Sequence, residues 1–159
     1  MRKVILSLVV VFMCCVATAQ GIKKMNIGEL EKYIKESEKP LVVNFWATFC
    51  APCVHEIPYF KSTIQDKYAG SVELILVSLD PPGYFPNKIS SFASQRNFPA
   101  PIVWLNETNA DYFCPRIDKK WSGSIPATLM INNKKSYRKF YEQQLTPLQL
   151  ERELKLLAD

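Results

Sequence analysis

Cys50 and Cys53 close the run Asn44-Phe45-Trp46-Ala47-Thr48-Phe49-Cys50-Ala51-Pro52-Cys53, and this pair of thiols is the feature of the chain best suited to chemistry. If Cys50 stands where a strand gives way to a helix and Cys53 lies one turn in, both sulfurs fall on one side, close enough to join in a small disulfide. Their positions make them unequal. Cys50 meets the unpaired N–H groups and positive dipole end of the helix, which favour a thiolate, whereas Cys53 should be covered. Cys50 is then the nucleophile that attacks a substrate disulfide, and Cys53 the resolving thiol that releases the product by attacking the mixed disulfide.

Other uses of the pair fit less well. A structural zinc site takes four ligands, and the set available is Cys50, Cys53, Cys114 and His55, the one histidine of the chain. His55 lies about 200° round the helix from Cys53, close to the opposite face. A purely structural staple with so tight a loop removes little entropy from the unfolded chain. Chance proximity of buried thiols does not suit a helix-starting position beside a central strand.

The elements that must hold the pair are legible in outline. Ile27 to Ser37 sets Ile27, Leu30 and Ile34 on one helical face, and Leu41 to Trp46 reads as a buried strand. Ala51 to Tyr68 follows as a helix with Pro52 in its first turn, a kink expected at Pro58 and Gly70 at its end. Val72 to Leu79 is a second central strand, stopped by Asp80-Pro81-Pro82-Gly83. Ile89 to Gln95 suits a helix and Ile102 to Leu105 a short strand, before an irregular stretch containing Cys114. Ala127 to Ile131 and Ser136 to Glu142 read as a hairpin, and the chain closes in a helix capped by Thr146 with Pro147 in its first turn. This alternation predicts an α/β fold with a central mixed sheet and helices on both faces.

Arg2 and Lys3 precede the apolar run Val4 to Ala17, which ends at Ala17-Thr18-Ala19, the layout of a signal peptide cut after Ala19. The run is shorter than the roughly 20 residues a helix needs to cross a bilayer. The expected organisation is a cleaved leader over 1–19 and one domain over 20–159. Cleavage lowers the basic count from 20 to 18 against 15 acids, and no dense basic stripe is present, so nucleic acid is not an expected partner. Of five cysteines, Cys50, Cys53 and Cys114 remain, an odd number that does not form a closed disulfide framework.

The run Phe45 to Cys53 resembles the active-site motif of the thioredoxin superfamily, and Asn44 with Glu56-Ile57-Pro58 resembles its exported TlpA/ResA-like branch. Ser124-Ile125-Pro126-Ala127-Thr128, just before a strand, resembles the family's cis-proline loop. Residues alone would make Pro126 a strand-initiating proline. The resemblance implies a thioredoxin fold and a bacterial, extracytoplasmic thiol-disulfide oxidoreductase with Cys50, Cys53 and Glu56 as catalytic residues. It further implies a substrate-contacting set of Trp46, Phe49, Ala51, Pro52, Ile125 and Pro126, with the Ile125 main chain offering hydrogen bonds to an extended peptide. Neither cofactor nor metal is expected. The implied partners are disulfide-containing exported proteins and an upstream membrane or periplasmic electron donor, and the protein is expected to be a monomer.

Two departures from thioredoxins bear on mechanism. Asn44 stands where they place a buried aspartate thought to help deprotonate the resolving cysteine, and an amide cannot titrate in that way. Glu56, about 300° round the helix from Cys53, either manages the Cys53 proton or is a helical glutamate facing solvent. Phe49 replaces the commoner tryptophan, and Cys114 is an extra thiol, expected buried and inert. Ala51-Pro52 is close to the Gly-Pro of reducing members, so the pair is expected to be a reductant with a potential below about −200 mV. Two rivals from other classes are a copper-delivery protein, which needs a further histidine ligand, and a non-catalytic peptide-binding module, which leaves the cysteine pair unexplained.

Overall fold

The computed structural model describes residues 21–99 and 101–158; the expected leader, 1–19, lies outside them. Its centre is β2 (Leu41–Trp46), which pairs in parallel with β3 (Glu73–Ser78) on one side and antiparallel with β5 (Ala127–Asn132) on the other. Beyond β3 lie β4 (Ile102–Leu105) and β1 (Lys23–Met25), both parallel, and beyond β5 lies antiparallel β6 (Tyr137–Tyr141). The order β1-β4-β3-β2-β5-β6 is a mixed sheet, as the alternation of elements predicts.

Every residue of β2 is buried, as a strand covered on both faces must be. Alternation sends Leu41, Val43 and Phe45 into a core shared with α1 (Ile27–Glu36) and α4 (Ala110–Ile117). Val42 and Trp46 enter the opposite core, beneath α2 (Ala51–Tyr68), α3 (Asn87–Gln95) and α5 (Pro147–Ala158). Asn44 lies on this second face, so the one polar residue of the strand points toward the helix that begins at Cys50.

Two elements depart from the expectation. Lys23–Met25 forms β1, an edge strand too short to show a period, with only Met25 buried. The stretch around Cys114, expected to be irregular, is helix α4, which buries Phe113, Cys114 and Ile117. Pro115, the sixth of eight helical residues, masks it in sequence; the helix forgoes one i→i−4 bond there, and the burial of Phe113, Cys114 and Ile117 offsets the loss. The hairpin joining β5 to β6 turns through one short 3-10 segment, Asn133–Lys135, and left-handed Ser136 at φ 53°.

Candidate active site

Cys50 is the N-cap of α2. Its chain arrives through a turn in which Cys50 N–H bonds to Ala47 O at 3.1 Å, and the helix opens with Val54 N–H on Cys50 O at 3.0 Å. Pro52 in the first turn suits this start because its missing N–H would have been unpaired. Cys53 N–H points to Cys50 Sγ at 3.3 Å, so one free donor of the helix end is aimed at the sulfur where a thiolate would form. The two cysteines are joined as a disulfide, with Cα atoms 5.3 Å apart. Cys53 is 0 % exposed and Cys50 8 %, while Phe49 beside them is 68 % exposed and Ala51 and Pro52 are also open to solvent. An approaching disulfide therefore meets Cys50 first.

Glu56 does not face solvent: it is fully buried. Asn44 Nδ2 donates to Glu56 Oε1 at 2.7 Å and to Thr128 Oγ1 at 3.1 Å, and Leu145 N–H donates to Glu56 Oε2 at 3.1 Å. A polar chain thus crosses from α2 through β2 to β5, one turn below Cys53. Burial pushes the Glu56 carboxyl up to about 7, against the two hydrogen bonds, which lower it. A carboxyl poised there can gain or lose a proton at neutral pH.

Asp80 is the residue that sequence reasoning missed, because a polar residue followed by prolines reads as the start of a loop. It is buried, and its carboxylate accepts from Thr48 N–H at 3.1 Å, Thr48 Oγ1 at 2.6 Å and Ser78 Oγ at 2.8 Å. The end of β3 thereby holds the turn that delivers Cys50. The Asp80 carbonyl in turn accepts from Trp104 Nε1 at 2.8 Å on β4. Register could have pointed to this role, since Trp46 pairs with Ser78 and the segments after them must run side by side.

The second motif enters from β5. Phe45 pairs with Ala127, so Pro126 comes in beside the end of β2, and Ile125 packs against the core cluster that holds Cys50 and Cys53. The Ile125–Pro126 peptide is cis. Of the residues expected to contact substrate, Phe49, Ala51 and Pro52 are exposed, Ile125 is half-buried and Pro126 is buried. Trp46 is a correction: as the last residue of the central strand it is covered by Phe92 of α3 and by Phe98 just beyond that helix, with centroids at 6.1 and 5.3 Å, and is 0 % exposed. It shapes the site from below.

His55 is exposed, with Nδ1 3.1 Å from Gln144 Nε2, and Cys114 is a buried free thiol. Among the described residues, no group of three His, Cys, Asp or Glu side chains is placed to hold a metal ion.

A Cys-x-x-Cys at the head of α2, a central strand leading into it, and a cis-proline segment entering the neighbouring antiparallel strand define a protein of the thioredoxin fold. Residues 16–139 match the AhpC/TSA family, and the chain belongs to that family. Within the superfamily it is similar to the ResA-like relatives that the two motifs pointed to. Thioredoxin-like protein YneN of Bacillus subtilis is 25% identical over 130 residues, 81% of this chain and 71% of the relative. The thiol-disulfide oxidoreductase ResA of Halalkalibacterium halodurans is 25% identical over 119 residues, 75% of this chain and 62% of the relative. Chloroplastic thioredoxin Y of Oryza sativa subsp. japonica is 24% identical, covering 69% of this chain and only 57% of its own. A thioredoxin-related protein from Neisseria meningitidis serogroup B superposes with a TM-score of 0.64 at 26% identity, covering 76% of this chain and 86% of that one.

Proposed function

We propose that this protein is an exported thiol-disulfide oxidoreductase that reduces disulfides in extracytoplasmic proteins. The observation that carries the reading is the inequality of the pair: Cys50 caps α2 with a small edge, 8 %, open to solvent and the Cys53 N–H on its sulfur, while Cys53 is fully buried beneath it.

In the reduced protein the Cys50 thiolate attacks one sulfur of a substrate disulfide. The S–S bond breaks, a Cys50–substrate disulfide forms, and the departing thiolate takes a proton. Cys53 then loses its proton and attacks Cys50 Sγ, which expels the second substrate thiolate and leaves the Cys50–Cys53 disulfide. Two electrons pass from the dithiol to the substrate, and an upstream dithiol donor must return them. Glu56 is the proposed acceptor of the Cys53 proton, directly or through water, in the role that Asn44 cannot fill. Ile125 offers its main chain to an extended substrate beside exposed Phe49, Ala51 and Pro52.

The basic-apolar-small pattern of residues 1–19 supports export, with maturation at Gln20 and a periplasmic or other extracytoplasmic location. N-terminal sequencing of the protein recovered outside the cytoplasm should read Gln20-Gly21-Ile22; recovery of an uncleaved cytoplasmic chain would sink that part. For the activity, insulin reduction in dithiothreitol should be rapid with the natural chain and lost in Cys50→Ser. Turnover that persists in Cys50→Ser would sink the nucleophile assignment.

A further inference from the structure

Ile125 and Pro126 are carried by a segment that secondary structure does not hold. Among the described residues, no main-chain group from Ser122 to Pro126 bonds to another main-chain group. Side chains can hold such backbone in one shape. Two do so. Trp121, packed on Phe45 at 4.6 Å and on Phe113 and Phe140 at 5.6 Å, donates its Nε1–H to Ser124 O at 2.9 Å. Glu142, the residue after β6, turns Oε1 onto Ser122 N–H and Ser124 N–H, each at 2.9 Å, and also accepts from the Ser122 hydroxyl.

The segment is shaped to this carboxylate. Gly123 takes φ +100°, a conformation that L side chains rarely adopt, and so lets the chain wrap one oxygen with its N–H groups directed inward. Burial raises the Glu142 carboxyl, but the bonds from the Ser122 side chain and from the Ser122, Ser124 and Gly123 main chain outweigh it and hold the group below its ordinary value. Thr128 pairs with Tyr141, so β6 delivers Glu142 beside the very segment that enters β5.

We propose that Glu142 is a positioning residue for substrate capture: by gathering Ser122 to Ser124 it fixes the shape in which Ile125 and Pro126 receive an extended peptide. The inference rests on the reductase reading above. Glu142 touches neither sulfur in this scheme. Its removal should therefore weaken the binding of a protein substrate and leave reaction with a small disulfide intact.

The test is steady-state reduction of insulin by the full chain, with dithiothreitol as electron source, beside the single-turnover rate at which the reduced chain, freed of dithiothreitol, attacks a small aromatic disulfide through Cys50. In Glu142→Ala, KM for insulin should rise about tenfold, as expected when a charge-assisted hydrogen-bond group is lost, with kcat and the small-disulfide rate within about twofold. Glu142→Gln, which keeps an acceptor oxygen without the charge, should fall between that variant and the natural chain. An unchanged insulin KM in both variants overturns the proposal, and so does a parallel fall in the small-disulfide rate, which would mark an effect on the dithiol itself. If Glu142→Ala does not fold, Glu142→Gln decides alone, and an insulin KM equal to that of the natural chain overturns it. A natural chain that reduces neither substrate overturns the reductase reading together with this one, whereas an active natural chain with indifferent Glu142 variants overturns only the positioning role.

Discussion

The Glu56 carboxyl, lifted by burial from 4.5 to about 7, holds its proton more tightly in the folded chain than in the unfolded one. Such a group adds stability that is full below pH 4.5 and is lost as pH rises through about 7, amounting to about 3 kcal/mol across the window. Glu56→Gln should flatten this slope, read as the urea midpoint at a series of pH values, and should alter the pH dependence of mixed-disulfide resolution. Equal slopes and equal resolution profiles in the two proteins would remove Glu56 from both roles. Cys114 is the opposite case: burial first, then the Glu142 and Asp111 charges, push its thiol up to about 11. Iodoacetamide at pH 7.5 should modify Cys50 in the reduced native protein and reach Cys114 only after unfolding; native labelling of Cys114 at the rate of a free thiol would contradict its inertness. At this scale the sequence was readable where spacing decides, as with Cys50, Cys53 and the angular place of Glu56. It was silent where a long-range partner decides. Whether Glu56 faced water or core depended on Asn44 and Leu145 reaching it, and Trp46 was misplaced because nothing near it in sequence announces the cover supplied by Phe92 and Phe98.

Among the elements, the turn before α2 depends on the end of β3. Asp80→Ala would leave Thr48 N–H, Thr48 Oγ1 and Ser78 Oγ without their acceptor, at a cost of roughly 3 kcal/mol. The same change should slow mixed-disulfide formation about tenfold, because Cys50 is delivered by that turn. Stopped-flow reaction with a peptide disulfide, together with a denaturant titration, would check both; full rate and full stability would mean that the turn holds itself. The central strands β2 and β3 were legible as apolar runs, and α2 and α5 because each buries an apolar face at helical spacing. β1 was not, since three residues cannot display a period, and α4 was not, since Pro115 breaks the local pattern while the packing of Phe113 and Ile117 on the sheet stabilises the helix. The Asp80 and Glu142 tethers belong to the same class of hidden feature. Each is created by strand register rather than by neighbouring residues.

At the scale of the molecule, the sheet brings the dithiol, the buried Glu56 and the cis-proline segment to one end, where β2 finishes and β5 begins. With Ala51-Pro52 between the cysteines, equilibration against a glutathione or dithiothreitol couple should give a potential below about −200 mV; a value near −120 mV would make the protein an oxidant. The order of events at the two sulfurs is tested most directly by trapping. Cys53→Ser protein, reduced and then mixed with a disulfide-containing protein, should accumulate a covalent adduct that mass spectrometry locates on Cys50 and that a reductant releases, while Cys50→Ser forms none. Adducts on Cys53 in Cys50→Ser, or on Cys114 in either variant, would contradict the assignment of Cys50 as the attacking thiol.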